Sequence, residues 1–455
     1  MLSLSLAEIA ALTGGTIHDT PDPRAQVTGP LAFDSRQPMP GGLFLALVAA
    51  RDGHDFAQAA VAAGATAVLG TRPVGVPAVV VPDVLEAAAA ITAELTSRLD
   101  ARLIGVTGSS GKTSTKDLLA QVFPALGTTV ATEQSFNGEV GVPVTVSRAD
   151  ADTRFLVLEM GARGVGHIRY LTRMAPLSTA IVLNIGAAHL GEFGSVEQTA
   201  VAKAELVEDL PEDGWAILNA DDPRVAPMAG RTRAQVVTFG LSEAAQIRAT
   251  AIRVDNDGRA SFTLSTPTDS APVHLRLAGE HHVLNALATA GAALAHGATV
   301  EQVAGLLGDA EQVSAGRMEV TDRPDGVRIV NDAYNANPDS MRAAIKALAA
   351  MTRDTGRRPV AVLGSMLELG DHAAQAHREV GRLAAQHGAH VLAVGGEEAQ
   401  WIADGAAGGD IAADAEHAHK LLDSLIQPGD VVLFKSSRDA GLRHLAARVA
   451  QQTGA

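Results

Sequence analysis

The chain has 455 residues, which predicts about three domains, and a formal net charge of −15 without a basic stripe, which argues against a nucleic-acid partner. The absence of cysteine excludes disulfides, thiolate catalysis and cysteine-based zinc sites. No apolar run approaches the ~18–20 residues of a membrane span, and residues 1–12 lack the basic start of a signal peptide, so we expect a cytoplasmic protein.

Strands and helices are predicted to alternate along most of the chain. In the first hundred residues, alanine-rich helical stretches separate strands predicted at 42–48, 65–69 and 77–81. A new series of strands then follows at 103–106, 155–158, 180–184, 216–219 and 236–239. Alternation of this kind is typical of a largely parallel sheet with helices on its faces.

The period of the pattern changes further along the chain. Residues 247–277 alternate with a period of two around a turn at 256–258, which predicts a β-hairpin region, and residues 281–296 form a helix containing Asn285. From residue 315, strands are predicted at 327–330, 360–363, 391–394 and 431–434. They indicate a doubly wound, Rossmann-like unit without a glycine fingerprint after its first strand.

A glycine-rich turn follows the strand at residues 103–106 and precedes a helical run at 112–126. It consists of Gly108, Ser109, Ser110, Gly111, Lys112 and Thr113. Such a loop wraps backbone N–H groups around a phosphate, so we predict a nucleoside triphosphate site where Lys112 meets the β- and γ-phosphates and Thr113 holds magnesium. The first glycine of the usual pattern is missing, since Val106 stands there. The alternative is a glycine-rich turn with a surface lysine.

Two polar residues follow neighbouring predicted strands. Glu159 comes directly after the strand at 155–158, at the carboxyl edge where ligands collect, and could share the magnesium of the phosphate loop. His189 follows the strand at 180–184. Considered singly, the glutamate could be a helix cap or surface residue and the histidine a structural one. The upstream phosphate loop favours a metal role for Glu159.

Lys203 stands on an otherwise apolar helical stripe. In the helix predicted at residues 196–210, that stripe comprises Val196, Ala200, Lys203, Val207 and Leu210. A buried ammonium is costly unless it is paired or its pKa falls. Two interpretations stay open. The lysine reaches solvent at the edge of the helix, or its neutral amine takes up CO₂ and becomes a carbamate, a metal-binding anion.

A polar run follows the first strand predicted at 327–330. Asn337 with Pro338 fits a helix N-cap followed by proline in the first turn. Asp332 and Asn335 have no comparably plain structural explanation, which makes them candidates for ligand binding.

Together these motifs resemble the Mur ligase family, whose members join amino acids to cell-wall precursors using ATP. The resemblance is carried by the glycine-rich loop and by the following runs of sequence: Asp34-Ser35-Arg36, Ser135 through Pro143, Glu159-Met160-Gly161-Ala162, Ala188-His189-Leu190, Lys203-Ala204-Glu205, Asp332 through Pro338 and Val362 through Gly370. The run from Asp332 is similar to that of the members that add D-alanyl-D-alanine. The Asp-Asn-Pro-Arg signature of members that add the third residue does not occur.

The resemblance implies an α/β fold of three domains. Residues 1–100 would bind the UDP-sugar end of the substrate, residues 101–314 would form a P-loop-type ATP domain, and residues 315–455 would form a Rossmann-like domain for the incoming dipeptide. The implied reaction is ATP-dependent ligation of D-alanyl-D-alanine to UDP-N-acetylmuramoyl-tripeptide through an acyl phosphate, in peptidoglycan precursor synthesis. We expect a monomer, with diaminopimelate, lysine or ornithine as the third residue.

The resemblance also implies roles for individual residues. The second magnesium would be held by His189 and carbamylated Lys203, beside the first at Thr113 and Glu159. Other implied contacts are Asn285 with adenine, Asp332 with ribose, Arg317 with phosphates, and Ser35, Arg36, Asn137, Asn335 and Asn337 with substrates.

Three positions depart from the family pattern. His282 and Ser436 stand where the family usually has asparagine and glycine, and Ser365 replaces an aspartate.

Two other functions stay open. One is a related ligase, either one that adds the third residue or a folylpolyglutamate-type synthase. The other is a nucleotide-dependent regulatory ATPase.

Overall fold

The computed structural model describes residues 1–186 and 190–452. Its first unit contains short strands and three helices, in the order β1 Leu4–Ser5, α1 Leu6–Thr13, β2 Thr16–His18, β3 Gln26–Val27, β4 Leu31–Ala32, β5 Leu43–Leu45, α2 Ala57–Ala62, β6 Ala67–Gly70, β7 Ala78–Val80 and α3 Val84–Arg98. The main sheet has the order β2-β7-β6-β5-β4, with β2 antiparallel and the others parallel. Strands β1 and β3 form a separate antiparallel pair.

The central unit is built around a long mixed sheet. Its elements are β8 Arg102–Thr107, α4 Lys112–Val122, β9 Thr129–Ala131, α5 Gly141–Val146, β10 Phe155–Glu159, α6 His167–Met174, β11 Thr179–Val182, α7 Leu190–Phe193, α8 Val196–Glu208, β12 Trp215–Asn219, β13 Gln235–Gly240, β14 Ile247–Val254, β15 Arg259–Ser265, β16 Ser270–Ala278, α9 His282–Ala295 and α10 Val300–Asp309. Within the described ranges the strand order is β16-β15-β14-β13-β12-β11-β8-β10-β9. Strands β8 to β14 pair in parallel with their neighbours, whereas the pairs β14–β15 and β15–β16 are antiparallel.

The third unit alternates strands and helices from its second strand onward. It comprises β17 Glu319–Asp322, β18 Arg328–Asn331, α11 Pro338–Thr352, β19 Pro359–Leu363, α12 Ala373–Gln386, β20 His390–Val394, α13 Glu397–Gly405, β21 Asp410–Ala412, α14 Ala415–Leu425, β22 Val431–Lys435 and α15 Leu442–Gln451. The sheet order is β17-β18-β22-β19-β20-β21, antiparallel only at β17 among the described strands. Separate apolar clusters cover its two faces, as in a doubly wound sheet.

The α/β class predicted from the sequence is confirmed, and the differences concern details. The predicted hairpin region is a three-stranded antiparallel extension of the central sheet. The helix predicted at 112–126 ends at Val122, because Pro124 follows in a 3-10 turn at Phe123–Ala125 and has no N–H to continue the helix. The domain boundaries predicted at 100–101 and 314–315 fall between α3 and β8 and between α10 and β17, and they stay a prediction.

Packing and register position the candidate site. One apolar cluster runs from α3 of the first unit, through Ile91 and Leu95, to α6 of the central unit, through Leu171. Glu159 at the end of β10 pairs in register with Val106 of β8, so the glutamate and the loop after β8 share one sheet edge. No helix in the described ranges is both long enough and apolar enough to cross a bilayer.

Candidate active site

A cavity of about 440 Å³ lies between the carboxyl edges of the central and third sheets. It brings together most of the residues that the sequence singled out. Those that line it are Ser109, Ser110, Gly111, Lys112, Thr113, Asn137, Glu159, Lys203, Asn285, Arg317, Asp332, Asn335 and Asn337. The two sheets therefore contribute opposite walls of one polar chamber.

Three other predicted site residues lie off the cavity wall, and His189 lies outside the described residues. Gly108 forms the back of the phosphate loop, whereas Ser35 and Arg36 lie in a turn of the first unit after β4. Arg36 is exposed and pairs with Asp34 at 2.8 Å, and this contact lowers the pKa of the Asp34 carboxyl to about 2. The turn approaches the cavity through the edge-to-face contact of Phe33 with Phe136, with ring centroids 5.5 Å apart.

The phosphate loop has the shape that its glycines permit. Gly111 adopts a left-handed φ of +80° immediately before α4 begins at Lys112. A Cβ at Gly111 would lie 2.6 Å from Asn285 Oδ1, so the loop also packs closely against α9. Lys112 Nζ donates to the backbone oxygen of Gly108 at 2.7 Å and thus curls over the loop.

The strand next to β8 holds the loop in place. Asn184 lies two residues after β11, and its Oδ1 accepts a hydrogen bond of 2.9 Å from the backbone N–H of Ser110. Gly186 donates its backbone N–H to Ser109 Oγ at 2.8 Å. These bonds hold the loop open toward the cavity, with its remaining backbone donors available to an anion.

Glu159 and Thr113 supply oxygen atoms at the edge of this loop. The Glu159 side chain is 1% exposed, its Oε1 accepts from Asn137 Nδ2 at 2.8 Å, and its Oε2 is buried without a partner. Thr113 Oγ1 lies 3.2 Å from Ser135 Oγ and 3.4 Å from Arg317 Nη2. A buried carboxylate oxygen without a donor fits a hard divalent cation such as magnesium.

Two lysines of the cavity wall, Lys112 and Lys203, are close enough to affect each other electrostatically. Lys203 is 2% exposed, and its ammonium has no hydrogen-bond or ion-pair partner within residues 1–186 and 190–452. Burial, together with repulsion from Lys112, lowers the pKa of Lys203 well below its usual value. Burial likewise lowers the pKa of Lys112, an effect that the Glu159 carboxylate opposes. Of the two interpretations of Lys203, its burial excludes a side chain that reaches solvent.

Polar residues of the third unit face the loop from the opposite wall. Asn337 caps α11, with its Oδ1 accepting from Ser340 N at 2.9 Å, which confirms the cap predicted from the sequence. Its Nδ2 donates to the backbone oxygen of Ser109 at 3.2 Å. Arg317 lies over the ring of Tyr334 with 4.5 Å from Cζ to the centroid, which aims its guanidinium at the phosphate loop.

A pair of histidines closes the chamber beside α9. The rings of His281 and His282 are 4.4 Å apart, and burial lowers the pKa of both. Asn285 Nδ2 lies 3.4 Å from His282 Nδ1. Among the described residues, His281 Nδ1 and His282 Nε2 are buried without a partner, so both imidazoles are neutral and have hydrogen-bonding capacity to spare.

Several residues of the site were missed at the level of sequence. Asn184 could have been found, because it ends a predicted strand on the same edge as Glu159. Glu205 is a supporting residue outside the cavity lining: it is 2% exposed, accepts from the backbone N–H groups of Gly166 and Arg169, and so fixes the start of α6. Lys435 lies buried on the cavity wall, although no local pattern of the sequence marks it as part of the site.

Comparison with known proteins identifies the family to which the sequence is similar. The Mur ligase middle domain matches residues 106–293, and the Mur ligase, glutamate ligase domain matches residues 316–438. A curated relative from Mycobacterium bovis, named UDP-N-acetylmuramoyl-tripeptide–D-alanyl-D-alanine ligase, is 46% identical over 100% of this chain and 99% of its own length.

Solved structures agree with these sequence matches. MurF from Acinetobacter baumannii superposes with a TM-score of 0.88 at 32% identity, covering 99% of both chains. MurF ligase from Thermotoga maritima, solved in complex with ADP, has a TM-score of 0.81 at 28% identity and covers 93% of this chain and 98% of its own. With both family domains matched and the relatives covered over nearly their full length, the chain belongs to the Mur ligase family.

Proposed function

We propose that this chain is an ATP-dependent ligase that joins D-alanyl-D-alanine to UDP-N-acetylmuramoyl-tripeptide, a step of peptidoglycan precursor synthesis in the cytoplasm. The observation that carries the proposal is the 46% identity, over the full chain, to a relative named for that reaction. The cavity supports the proposal, because the phosphate loop faces a second polar wall from the third unit, and Asn337 of that wall is hydrogen-bonded to Ser109 of the loop.

The reaction needs activation of a carboxylate, since an ordinary carboxylate is a poor electrophile. The terminal carboxylate oxygen of the tripeptide attacks the γ-phosphorus of ATP, and the bond to the β,γ-bridging oxygen breaks to release ADP. The amine of D-alanyl-D-alanine then attacks the acyl carbon, loses a proton and expels inorganic phosphate. Because anions meet in both steps, the protein contributes mainly charge neutralisation and positioning.

The phosphate loop and its neighbours supply the positive charge. The loop N–H groups at residues 111–113 and the Lys112 ammonium would hold the β- and γ-phosphates, and Arg317 would reach them from the third unit. Asn285 and the neutral His282 would contact the base, and Asp332 the ribose. Support for a nucleotide here comes from the Thermotoga maritima relative, which was solved in complex with ADP.

Magnesium fits the oxygen atoms on the floor of the cavity. Thr113 Oγ1 and the unpartnered Glu159 Oε2 would hold one ion, and His189, outside the described residues, would hold a second together with Lys203. When bound, magnesium neutralises phosphate charge and polarises the γ-phosphoryl group. Both Glu159 and Lys203 are buried, and burial strengthens their electrostatic interaction with a bound ion.

Lys203 would serve this second ion as a carbamate. Its lowered pKa favours the neutral amine, whose nitrogen adds to the carbon of CO₂ and releases one proton. The product carries a charge of −1 and two oxygen ligands, whereas an ammonium would repel the ion. An unpaired, buried lysine beside a second lysine supports this modification.

The first and third units would hold the two organic substrates. We assign the UDP-sugar end to the turn around Ser35 and Arg36, and the tripeptide end to the wall formed by Asn137. Asn335 and Asn337 would contact the dipeptide at the carboxyl edge of the third sheet. We further propose that the chain acts as a monomer, which size-exclusion chromatography with light scattering tests directly.

Phosphate release from the purified full chain tests the function. We expect turnover only when ATP, a UDP-N-acetylmuramoyl-tripeptide and D-alanyl-D-alanine are all present, and the three tripeptides ending in diaminopimelate, lysine or ornithine identify the third residue. Equal rates with D-alanine, lysine, glutamate and D-alanyl-D-alanine would contradict the choice of amine. ATP turnover without an acceptor would instead support a regulatory ATPase.

A further inference from the structure

Lys435 is a buried lysine whose hydrogen-bonding capacity is fully used by the protein. It ends β22, and its side chain is 2% exposed on the cavity wall. Its Nζ lies 2.6 Å from Asp332 Oδ2, 3.2 Å from Asp332 O and 3.1 Å from Asn335 O. An ammonium has three N–H donors, and here three acceptors surround it. No donor remains for a substrate.

The three lysines of the cavity differ in this respect. The ammonium of Lys203 has no partner among the described residues, that of Lys112 has one backbone acceptor, and that of Lys435 has three acceptors. A lysine that binds a phosphate needs free donors. By this criterion Lys112 has donors free to bind a substrate directly, whereas Lys435 can only hold other parts of the protein in position.

The first branch of contacts from Lys435 leads to Arg317. Asp332, held through Oδ2, accepts a second hydrogen bond at Oδ1 from the backbone N–H of Met318 at 3.1 Å. Met318 has a left-handed φ of +55°, a conformation that a non-glycine side chain adopts only when its surroundings impose it. The adjacent Arg317 donates from Nη2 to Thr113 Oγ1 at 3.4 Å, at the end of the phosphate loop.

The second branch leads to Asn337. Lys435 holds the backbone oxygen of Asn335, two residues before Asn337, in the short loop between β18 and α11. Asn337 then donates to the backbone oxygen of Ser109. Within the described residues, the two hydrogen bonds from the third unit to the phosphate loop thus start from segments that Lys435 holds, either directly or through Asp332.

We propose that Lys435 is a positioning residue that sets the nucleotide site by fixing the loop at residues 332–337 and, through Asp332, the backbone at Met318. Burial lowers the pKa of the Lys435 ammonium, and the Asp332 carboxylate opposes that effect. A buried pair of this kind is weak evidence for stability by itself, because the cost of removing two charges from water offsets their attraction. Its directional bonds instead select one conformation of the loop. The inference rests on the proposed function only in placing a nucleotide at the phosphate loop.

Binding of magnesium–ADP, measured by calorimetry on the full chain, tests the role without using either organic substrate. We expect Lys435→Met to weaken ADP binding at least ten-fold. In phosphate-release kinetics it should lower kcat and raise KM for ATP, while KM for the UDP-linked acceptor stays within two-fold. The matched control is Lys346→Met, an exposed lysine on α11 of the same unit, which should change none of these values.

A double-mutant cycle separates positioning from direct contact with the nucleotide. If Lys435 acts through Asp332, the loss of ADP affinity caused by Lys435→Met should be smaller in an Asp332→Asn background than in the wild-type chain, and the part that remains reflects the contact of Lys435 with the Asn335 backbone oxygen. Fully additive losses would show that Lys435 does not act through Asp332, and unchanged ADP affinity in folded Lys435→Met would show that it has no role; either result overturns the proposal. If Lys435→Met does not fold, Lys435→Gln, which is neutral and keeps an amide donor, should show an intermediate loss, and normal ADP affinity in that variant overturns the proposal equally. ADP binding with no ligation of D-alanyl-D-alanine would refute the proposed function and leave this test intact.

Discussion

Asn337 Nδ2 lies 3.2 Å from the backbone oxygen of Ser109, a hydrogen bond that joins the third unit to the phosphate loop across 228 residues of sequence. The other end of the same amide, Oδ1, accepts from the backbone N–H of Ser340 and caps α11. One side chain therefore has two separate tasks, and the contact between the units can be removed while the helix cap is kept.

Asn337→Asp should keep the cap and lose the contact between the units. A carboxylate still accepts from Ser340 N and is favourable at a helix N-terminus, so we expect nearly unchanged stability to urea. It cannot donate to Ser109 O, and leaving a buried polar group unpaired costs about 1–3 kcal/mol, so KM for ATP should rise by roughly five-fold or more. Asn337→Ala should show the same rise and also lose about 1 kcal/mol of unfolding free energy.

Asp414 provides a matched control for the cap. It caps α14 in the same unit by accepting from His417 N at 2.8 Å, and it lies away from the cavity. Asp414→Ala should lower the unfolding free energy by about 1 kcal/mol and leave KM for ATP unchanged. An unchanged KM in Asn337→Asp would show that the hydrogen bond to Ser109 does not shape the nucleotide site.

Lys112→Met should lower the rate of acyl-phosphate formation by about 10²–10³-fold in a folded protein. The Lys112 ammonium makes one hydrogen bond within its own loop, so its loss leaves the fold intact, whereas its charge faces the position proposed for the β- and γ-phosphates. Loss of one such electrostatic contact typically costs about 10²–10³-fold in kcat. Lys420→Met, an exposed position on α14, is the control. Near-normal turnover in Lys112→Met with an unchanged melting curve would contradict the phosphate-loop assignment.

Local patterns predicted those parts of the site that local physics decides. The phosphate loop follows from a strand, two glycines and a helix start, and the cap at Asn337 follows from its place before Pro338. Glu159 was placed because the carboxyl ends of parallel strands share an edge, and the register of β10 with β8 confirms that placement. The roles assigned to these side chains stay predictions.

Contacts between segments that are distant in the sequence could not be predicted from local patterns. The ion pair of Lys435 with Asp332 joins residues 103 positions apart, at the ends of two strands that become neighbours only when β18 pairs with β22. The antiparallel strands β15 and β16 alternate as a hairpin would, and nothing in their period shows that they extend the central sheet. Periodicity predicts which face of a strand is buried, but it does not predict which strand lies next to it in the sheet.

Glu159→Gln should raise the magnesium requirement. Its Oε2 is buried and unpartnered, and an amide nitrogen there offers hydrogens to a cation in place of lone pairs. We expect the magnesium concentration for half-maximal activity to rise at least about ten-fold, by analogy with the effect of perturbing a metal's supporting ligands. ADP binding measured without magnesium should stay within two-fold.

Glu205→Gln is the informative control for Glu159, since both carboxylates are buried. Both oxygens of Glu205 are already engaged by backbone N–H groups, at 2.6 Å from Gly166 and 2.9 Å from Arg169. The variant should lose stability, because one acceptor becomes a donor facing an N–H group, and should keep its magnesium dependence. Equal magnesium requirements for Glu159→Gln and the wild-type chain would remove the glutamate from the metal site.

Lys203 should destabilise the fold at neutral pH in buffer free of CO₂. Its pKa in the folded chain lies well below the usual 10.5, so the unfolded chain binds more protons, and the unfolding free energy falls as the pH drops from 10.5 toward the folded pKa. Lys203→Met removes that cost. We therefore expect the variant to melt at a higher temperature than the wild-type chain and to lose most of this pH dependence, while its ligase activity is nearly abolished.

The carbamate itself can be detected without measuring activity. Bicarbonate labelled with ¹³C should give a carbamate resonance in the wild-type chain that is absent in Lys203→Met and in Lys203→Arg, because a guanidinium keeps its charge and cannot be carbamylated. Stripping CO₂ should lower ligase activity, and bicarbonate should restore it. Acetate should partly rescue Lys203→Ala by placing a carboxylate where the carbamate oxygens stood, but it should not rescue Lys203→Arg, whose longer cation fills that space. A folded Lys203→Arg protein that keeps most of its activity, with no labelled resonance in the wild-type chain, would leave Lys203 as an unmodified buried amine.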